Sequence, residues 1–453
     1  MQIFETNQFR RVVGQISLLA ALTAGYIEGA GAHSGDLDKH FGSSGAATVT
    51  LPVSDSIWDV SPIMTAVDAT NRSLIAFYLM DADLGMLAAL DSDGNLDTTF
   101  GTAGYIQSPA HSFILDLRVD SKNRIVTLEK WDAASPPGPR VVRHLADGTL
   151  DMSFGSSGVT DASSLPSDFF ADHLAIDRAD DALIAGSQFV GGEELVAVAK
   201  FDSGGKLDGT FGTAGVATER LLPMDDFSQA NEIAFGPDGG LFVATQTTSL
   251  SSTTVSSLLK LDSSGNPDAS FSGGGAVPFV AVPTTTLGAY TSVSSIAFDS
   301  AGNVVLAGQA GDASGIQFVA ATRYTPAGLV DVSFNAGSIL TLSDSTYRYG
   351  GRVTALVDGR DRIVITGSAS DPSSFGNNVF AIRLNGDGKA DGGFGASSGR
   401  ALTGSIISAS RASFTHDGGL LVFGNDPDTD GSFGTAYKMI SYDLPPVLPP
   451  SGF

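Results

Sequence analysis

Asp116, His173, Glu232 and Arg411 carry the side-chain types from which an acid–base or anion-orienting centre is built. Two carboxylates and an imidazole can share a divalent metal, or divide the roles of general acid and general base. A guanidinium adds a planar fork that orients an anion. The first three are 57 and 59 residues apart, and Arg411 follows Glu232 by 179. Such intervals are too long for a local motif, so the four meet only if a repeated fold superposes their positions. A second hint is Asp426-Pro-Asp-Thr-Asp-Gly431, in which Asp426, Asp428 and Asp430 match the first half of a D-x-D-x-D-G calcium loop. Positions nine and twelve of that loop are Gly434 and Tyr437, so the bidentate carboxylate is missing. The segment therefore reads first as an exposed acidic hairpin loop, with calcium as the alternative. No other cofactor is expected. The sequence has no H-E-x-x-H, no G-x-S-x-G and no Walker A loop. Its Gly-rich stretches lie between strands and do not open helices, so they are not dinucleotide fingerprints.

Composition narrows the classes further. The chain has 453 residues, 42% of them apolar, which is ample for a core. Its 49 acidic against 25 basic residues give a net charge of −24, which argues against binding a phosphate backbone and hence against a nucleic-acid partner. The absence of Cys excludes disulfides, thiol nucleophiles and Cys-ligated zinc. Glycine, at 55 residues, points to many turns.

Those turns recur. GDLDKHFGSSG (35–45) returns as GNLDTTFGTAG (94–104), GTLDMSFGSSG (148–158) and GKLDGTFGTAG (205–215). It returns in altered form at 265–275, 328–337 and 388–399. The seven Phe positions, 41, 100, 154, 211, 271, 334 and 394, are 54 to 63 residues apart, with a mean near 59. Between motifs each copy holds two alternating strands around a Gly turn, such as SIAFDSAGNVVLAG (295–308). A third strand follows (318–324), and a short fourth, such as Val216-Ala217-Thr218, comes after the motif. Four strands per unit, a period of tens of residues and no helical periodicity predict an all-β, seven-bladed β-propeller of four-stranded repeats. A β-helix would need a much shorter period, and an array of sandwiches larger units. The chain begins its repeats with a motif and fourth strand (46–50) and ends them with a third strand (436–442). The N-terminal strand is thus expected to complete the last blade and remove an open edge.

The run F-x-x-A-R/K-x-x-x-x-G-x-L-D-x-x-F-G-x-x-G resembles the delta-sixty repeat of exported bacterial proteins, across residues 35–443. The strand pair IAFDSAGNVVLAG is also similar to the inner strands of NHL-type propeller blades. The resemblance implies a propeller and an extracytoplasmic setting. It brings no catalytic residues, because the family has no established common activity.

The ends of the chain read differently. Residues 1–32 have the order of a secretory signal: Arg10-Arg11, the apolar stretch 12–27, then Ala30-Gly31-Ala32. The protein is accordingly expected to be secreted, periplasmic or at the cell surface after cleavage, with a propeller over 33–443 and a Pro-rich tail over 444–453. No later apolar run is long enough to span a membrane as a helix, and a monomer is expected.

Two columns recur too regularly to be sites. One is the motif Asp (38, 97, 151, 208, 268, 331, 391). The other is a cation ending the third strand (Arg143, Lys200, Lys260, Arg323, Arg383, Lys438), with Ala89 as the exception. Each cation is expected to pair with a motif Asp or a turn carbonyl, and the motif Phe to insert between blades. Function is sought where the repeats disagree. The position before each inner-strand core holds Met64, Asp116, His173, Glu232, Ser295, Thr354 and Arg411, and is expected to face the mouth of a central channel. Arg118 is the other irregularity nearby, and His40, His144 and His416 are assigned to solvent-exposed turns. The leading reading is an exported, non-enzymatic propeller binding a protein, glycan or small molecule. The rival is a hydrolase or lyase, metal-assisted or not, working through Asp116, His173, Glu232 and Arg411.

Overall fold

The computed structural model describes residues 34–52, 60–131, 138–221, 227–248, 254–279, 290–311, 317–342, 348–370, 377–395, 399–406, 408–425 and 434–439. The residues of the signal sequence, the tail, and Asp426, Asp428 and Asp430 lie outside them. Within the described residues every regular element is a strand, apart from three single turns of 3-10 helix.

After β1 (Ala46–Val49) comes an antiparallel meander of β2 (Val60–Val67), β3 (Ser73–Leu79), β4 (Leu84–Leu90) and β5 (Tyr105–Gln107). It recurs as β6 (Ser112–Val119), β7 (Ile125–Trp131) and β8 (Gly138–His144), where a bridge from Val142 to Val159 stands in for the fourth strand. The next is β9 (Phe169–Ile176), β10 (Ala182–Val190), β11 (Glu193–Phe201) and β12 (Val216–Glu219). Then follow β13 (Phe227–Phe235), β14 (Leu241–Thr248), β15 (Thr254–Leu261) and β16 (Ala276–Pro278). After these come β17 (Tyr290–Phe298), β18 (Val304–Gly311), β19 (Gln317–Tyr324) and β20 (Leu340–Leu342). The last meanders are β21 (Arg348–Val357), β22 (Ile363–Ser370), β23 (Asn377–Leu384) and β24 (Arg400–Ile406), then β25 (Ser408–Phe414), β26 (Leu420–Asn425) and β27 (Gly434–Met439). The outer edge of β27 is occupied by β1, with Ala46 opposite Tyr437 and Val49 opposite Gly434.

Packing explains the composition of each strand. The second and third strands of a meander are apolar on both faces, as in Leu74-Ile75-Ala76-Phe77, because each meander is covered on both sides. The apolar clusters accordingly lie between successive meanders. Ile184 and Ala197 join Val126 and Val141 of the preceding unit, and Phe77 meets Phe423 edge-on at 5.5 Å. Each first strand packs beside the first strand of the next meander, and β25 packs beside β2.

The motif turn links neighbours. Its Phe is buried in all seven copies. The amide after it donates to a turn carbonyl one repeat on, as in Gly101 to Asp147 (2.8 Å) and Gly155 to Gly204 (2.7 Å). The corresponding amide of Gly395 donates to Ser34 (2.8 Å). Gly155 takes φ +50 here, and a Cβ on it would stand 2.2 Å from the Val159 carbonyl oxygen, so only glycine fits.

The cation–carboxylate columns meet as expected, with one correction. Arg143, Arg323 and Arg383 donate Nε to Asp151, Asp331 and Asp391 at 2.7–2.8 Å. Lys260 and Lys438 reach Asp268 and Asp38 at 3.2 and 3.3 Å. Arg143 and Arg383 also stand over the motif rings Phe154 and Phe394, at 4.2 and 4.8 Å from their centroids. Lys200 differs: its ammonium turns to Asp181 (3.0 Å) and Asp177 (3.5 Å), two carboxylates in the turn between β9 and β10. A second correction concerns His144. It ends β8 and is buried, because its column is apolar in the sister strands.

Candidate functional site

Each first strand breaks its register beside the disputed position: Pro62/Met64, Ile114/Asp116, Ala230/Glu232, Val293/Ser295 and Ala409/Ala412 are examples. A bulge leaves one amide outside the ladder and re-aims a side chain. Several members of the column use that freedom to bond the next first strand. Asp116 Oδ2 accepts from Leu174 N (2.9 Å), Ser295 Oγ from Ala355 N (2.9 Å) and Thr354 Oγ1 from Ala412 N (3.4 Å). Met64 instead sits in an apolar cluster with Leu74, Leu87 and Ile114. Three of the seven positions therefore fasten neighbours, and Met64 offers a ligand no polar hydrogen-bonding group.

Glu232 and Arg411 do converge, with two further cations. Glu232 is almost wholly buried and meets Arg118 on Oε1 (3.5 Å), Arg352 on Oε2 (3.5 Å) and Arg411 on Oε2. Arg118 also ion-pairs with Asp116 Oδ1, which accepts from Leu117 N (2.7 Å) as well. The cluster thus joins side chains from β6, β13, β21 and β25, with three guanidiniums against two carboxylates, an excess of one positive charge. Arg352 Nε is buried without a hydrogen-bond partner. Burial pulls Arg118 and Arg352 below the usual guanidinium range; for Arg352 the neighbouring Arg411 adds to the effect.

His173 borders the cluster. Its Nδ1 is buried and unpartnered. Burial first, then Arg352, pushes its pKa down to about 3, against the opposing pull of Asp116. The imidazole is therefore neutral at pH 7 and a poor match for proton transfer there. Among the described residues no three His, Asp or Glu side chains are grouped to hold a metal ion. Of the cations that complete the centre, Arg118 stands out in the sequence as a charge inside an inner strand. Arg352 does not: it lies in the irregular stretch Gly350–Thr354, where β21 loses register, and no alignment column singles it out.

A family model described as a domain of unknown function (DUF5122) β-propeller matches residues 236–271. No curated protein matches the sequence. Among solved structures, the chain is similar to the polysaccharide lyase Uly1, at 11% identity and TM-score 0.47 over 93% of this chain and 94% of that one. It is similar to a protein of unknown function from Dyadobacter fermentans, at 13% and 0.42 over 88% and 100%. A Hadza microbial sialidase, Hz136, aligns at 11% and 0.44 over 83% and 75%. The chain has a β-propeller fold.

Proposed function

We propose that the protein is an exported, monomeric, seven-bladed β-propeller of the delta-sixty type, closed by β1, that binds a small anion or an anionic group of a glycan at its centre. The single observation carrying the ligand class is the convergence of Arg118, Arg352 and Arg411 on Glu232. Burial and mutual repulsion of the guanidiniums make this local positive excess costly to assemble without a use. A carboxylate or sulfate oxygen would take the unpartnered Nε of Arg352 and neutralise the excess. Seven motif copies and the β1–β27 pairing support the blade count and closure. The order basic, apolar, Ala-Gly-Ala over residues 10–32 supports export, and mass spectrometry of the exported chain tests it, since an intact Met1 refutes cleavage. An acid–base role for Asp116 and His173 has less support, because both Asp116 oxygens are engaged and His173 is held neutral. The calcium reading of Asp426, Asp428 and Asp430 stays a secondary proposal.

Calorimetric titration with galacturonate, sulfate and phosphate tests the anion site. At least one is expected to bind wild type, with affinity falling as salt rises, and to bind Arg352→Gln at least tenfold more weakly. Equal affinity in the variant, or no anion bound by wild type at millimolar concentration, sinks the reading.

A further inference from the structure

A cleft of about 540 Å³ opens between the outer strands β4–β5 and β7–β8, away from the central arginines. Its size falls in the range of ligand-binding pockets. Tyr105, Trp131, Gln107, Ser108, Glu129 and His144 line it over an apolar floor that includes Met86 and Val142. Strand register shows how unusual these residues are. Glu129 occupies the position held by Phe77, Gly186, Thr245, Gly308, Gly367 and Gly424 in the other second strands. His144 occupies that of Leu90, Phe201, Leu261, Tyr324, Leu384 and Met439. Thr127 replaces an aliphatic residue, Ile75, Ile184, Val243, Leu306, Ile365 or Val422, and donates to Glu129 Oε1 (3.1 Å). In this unit Thr127 and His144 thus replace apolar residues and Glu129 stands in a column of mainly Gly, with Glu129 and His144 both lining the cleft.

The polar groups are set and not fully used. Glu129 is 2% exposed, and its other oxygen accepts from Trp131 Nε1 (2.9 Å). His144 is 8% exposed and its Nδ1 has no partner. Burial raises the Glu129 carboxyl above its ordinary range and lowers His144 to about 4, so in both it disfavours the charged form. The Arg140 guanidinium, 4.7 Å over the Trp131 ring, fixes the indole and covers one face with a cation.

We propose that this cleft is a second binding site, for a neutral mono- or disaccharide. Aromatic walls suit the C–H faces of a sugar ring, while Glu129, His144 and Gln107 can exchange hydrogen bonds with its hydroxyls. A cationic ligand fits less well beside Arg140, and the buried Glu129 and His144, both disfavoured in their charged forms, offer an anion no opposing charge. The inference is independent of the central anion site.

Full-length protein is titrated with a panel of neutral mono- and disaccharides, and with choline as the cationic probe. A saccharide is expected to bind, and His144→Leu and Glu129→Ala to weaken it more than tenfold while Arg352→Gln leaves it unchanged. Glu129→Gln, which keeps an acceptor for Trp131 without a charge, is expected to stay within about threefold of wild type. Thermal melting controls for folding, and His144→Leu restores the residue type found in the sister strands, so it is expected to fold. The proposal is overturned if no neutral saccharide binds, if both cleft variants bind like wild type, or if choline binds and Glu129→Gln abolishes it.

Discussion

Arg72 Nη1 lies 3.1 Å from Asp97 Oδ2, in the unit whose third strand carries Ala89 where its sisters carry a cation. The guanidinium comes from the neighbouring second-strand turn, and also pairs with Asp68 at 2.6 Å. It stands 5.3 Å over the Phe100 ring, as Arg383 stands over Phe394. The motif Asp of this unit thus still meets a cation, from the same turn position that brings Arg362 to Asp391 at 3.3 Å. Arg72→Ala is expected to cost about 1–3 kcal/mol, the range for leaving a part-buried polar group unpaired. Adding Ala89→Arg to that variant should recover part of the loss, whereas Ala89→Arg alone should give no gain. Urea unfolding of the four chains checks this; full independence of the two positions would refute the substitution of roles.

The motif Asp divides its oxygens, and this makes its cation pair cooperative. Asp331 Oδ1 accepts from Ser333 N (2.9 Å) and Oγ (2.7 Å), while Oδ2 accepts from Arg323 Nε (2.7 Å). Burial tends to raise the Asp331 carboxyl, but these hydrogen bonds outweigh it and hold the carboxyl below its usual range. A double-mutant cycle on Arg323→Gln and Asp331→Asn is expected to show coupling of about 1 kcal/mol or more. The exposed pair Lys389–Asp387 serves as the control and should show no measurable coupling. Additive losses at Arg323 and Asp331 would contradict the pairing.

Much of this was legible because it repeats. A Phe every 59 or so residues, with Asp three before it and a cation eight residues ahead of the Asp, announces a structural device in the sequence itself. The disputed inner-strand column was also found, but what it does was not. Sequence alternation does not reveal a bulge, and the bulge turns Asp116, Ser295 and Thr354 toward the adjacent strand. Arg352 and Lys200 were missed or misassigned for a related reason: long cations reach whichever carboxylate the fold brings near. His144 looked like a turn residue because it borders Leu145–Thr149, yet it closes β8 and is covered. Registering all seven second and third strands, and not the first alone, exposes His144 as the odd member of an apolar column and Glu129 as the one charge in a column of mainly Gly.

The buried imidazoles make stability fall on mild acidification. His144 drops from 6.5 to about 4 on folding, so between those values the unfolded chain binds more protons. Stability from this group is full above about 6.5 and declines as pH falls toward 4, by up to about 3 kcal/mol. His173 has the same sign and extends the window to about 3. Glu129 opposes them above 4.5, since its folded carboxyl is raised. Asp97, Asp151 and Asp391 are depressed, so their contributions are lost only near and below their ordinary value of 3.8. Urea midpoints measured from pH 4 to 8 should therefore decline less steeply in His144→Leu than in wild type. An identical profile would mean that His144 titrates as an exposed residue.

Removal of residues 34–49 tests how much β1 does for the last meander. That segment supplies β1, the Asp38 partner of Lys438, the Phe41 ring beneath the same ammonium and the Ser34 carbonyl that receives Gly395 N. Without it, β27 would present a free strand edge and Lys438 would keep only Asp417, at 2.6 Å. The shortened chain is expected to melt earlier and less cooperatively, and to self-associate at micromolar concentration by light scattering. Deleting residues 1–32 instead should leave melting unchanged. If both deletions melt alike and stay monomeric, β1 is an accessory strand, and the first and last units hold together through the Phe77–Phe423 contact and the packing of β2 on β25 alone.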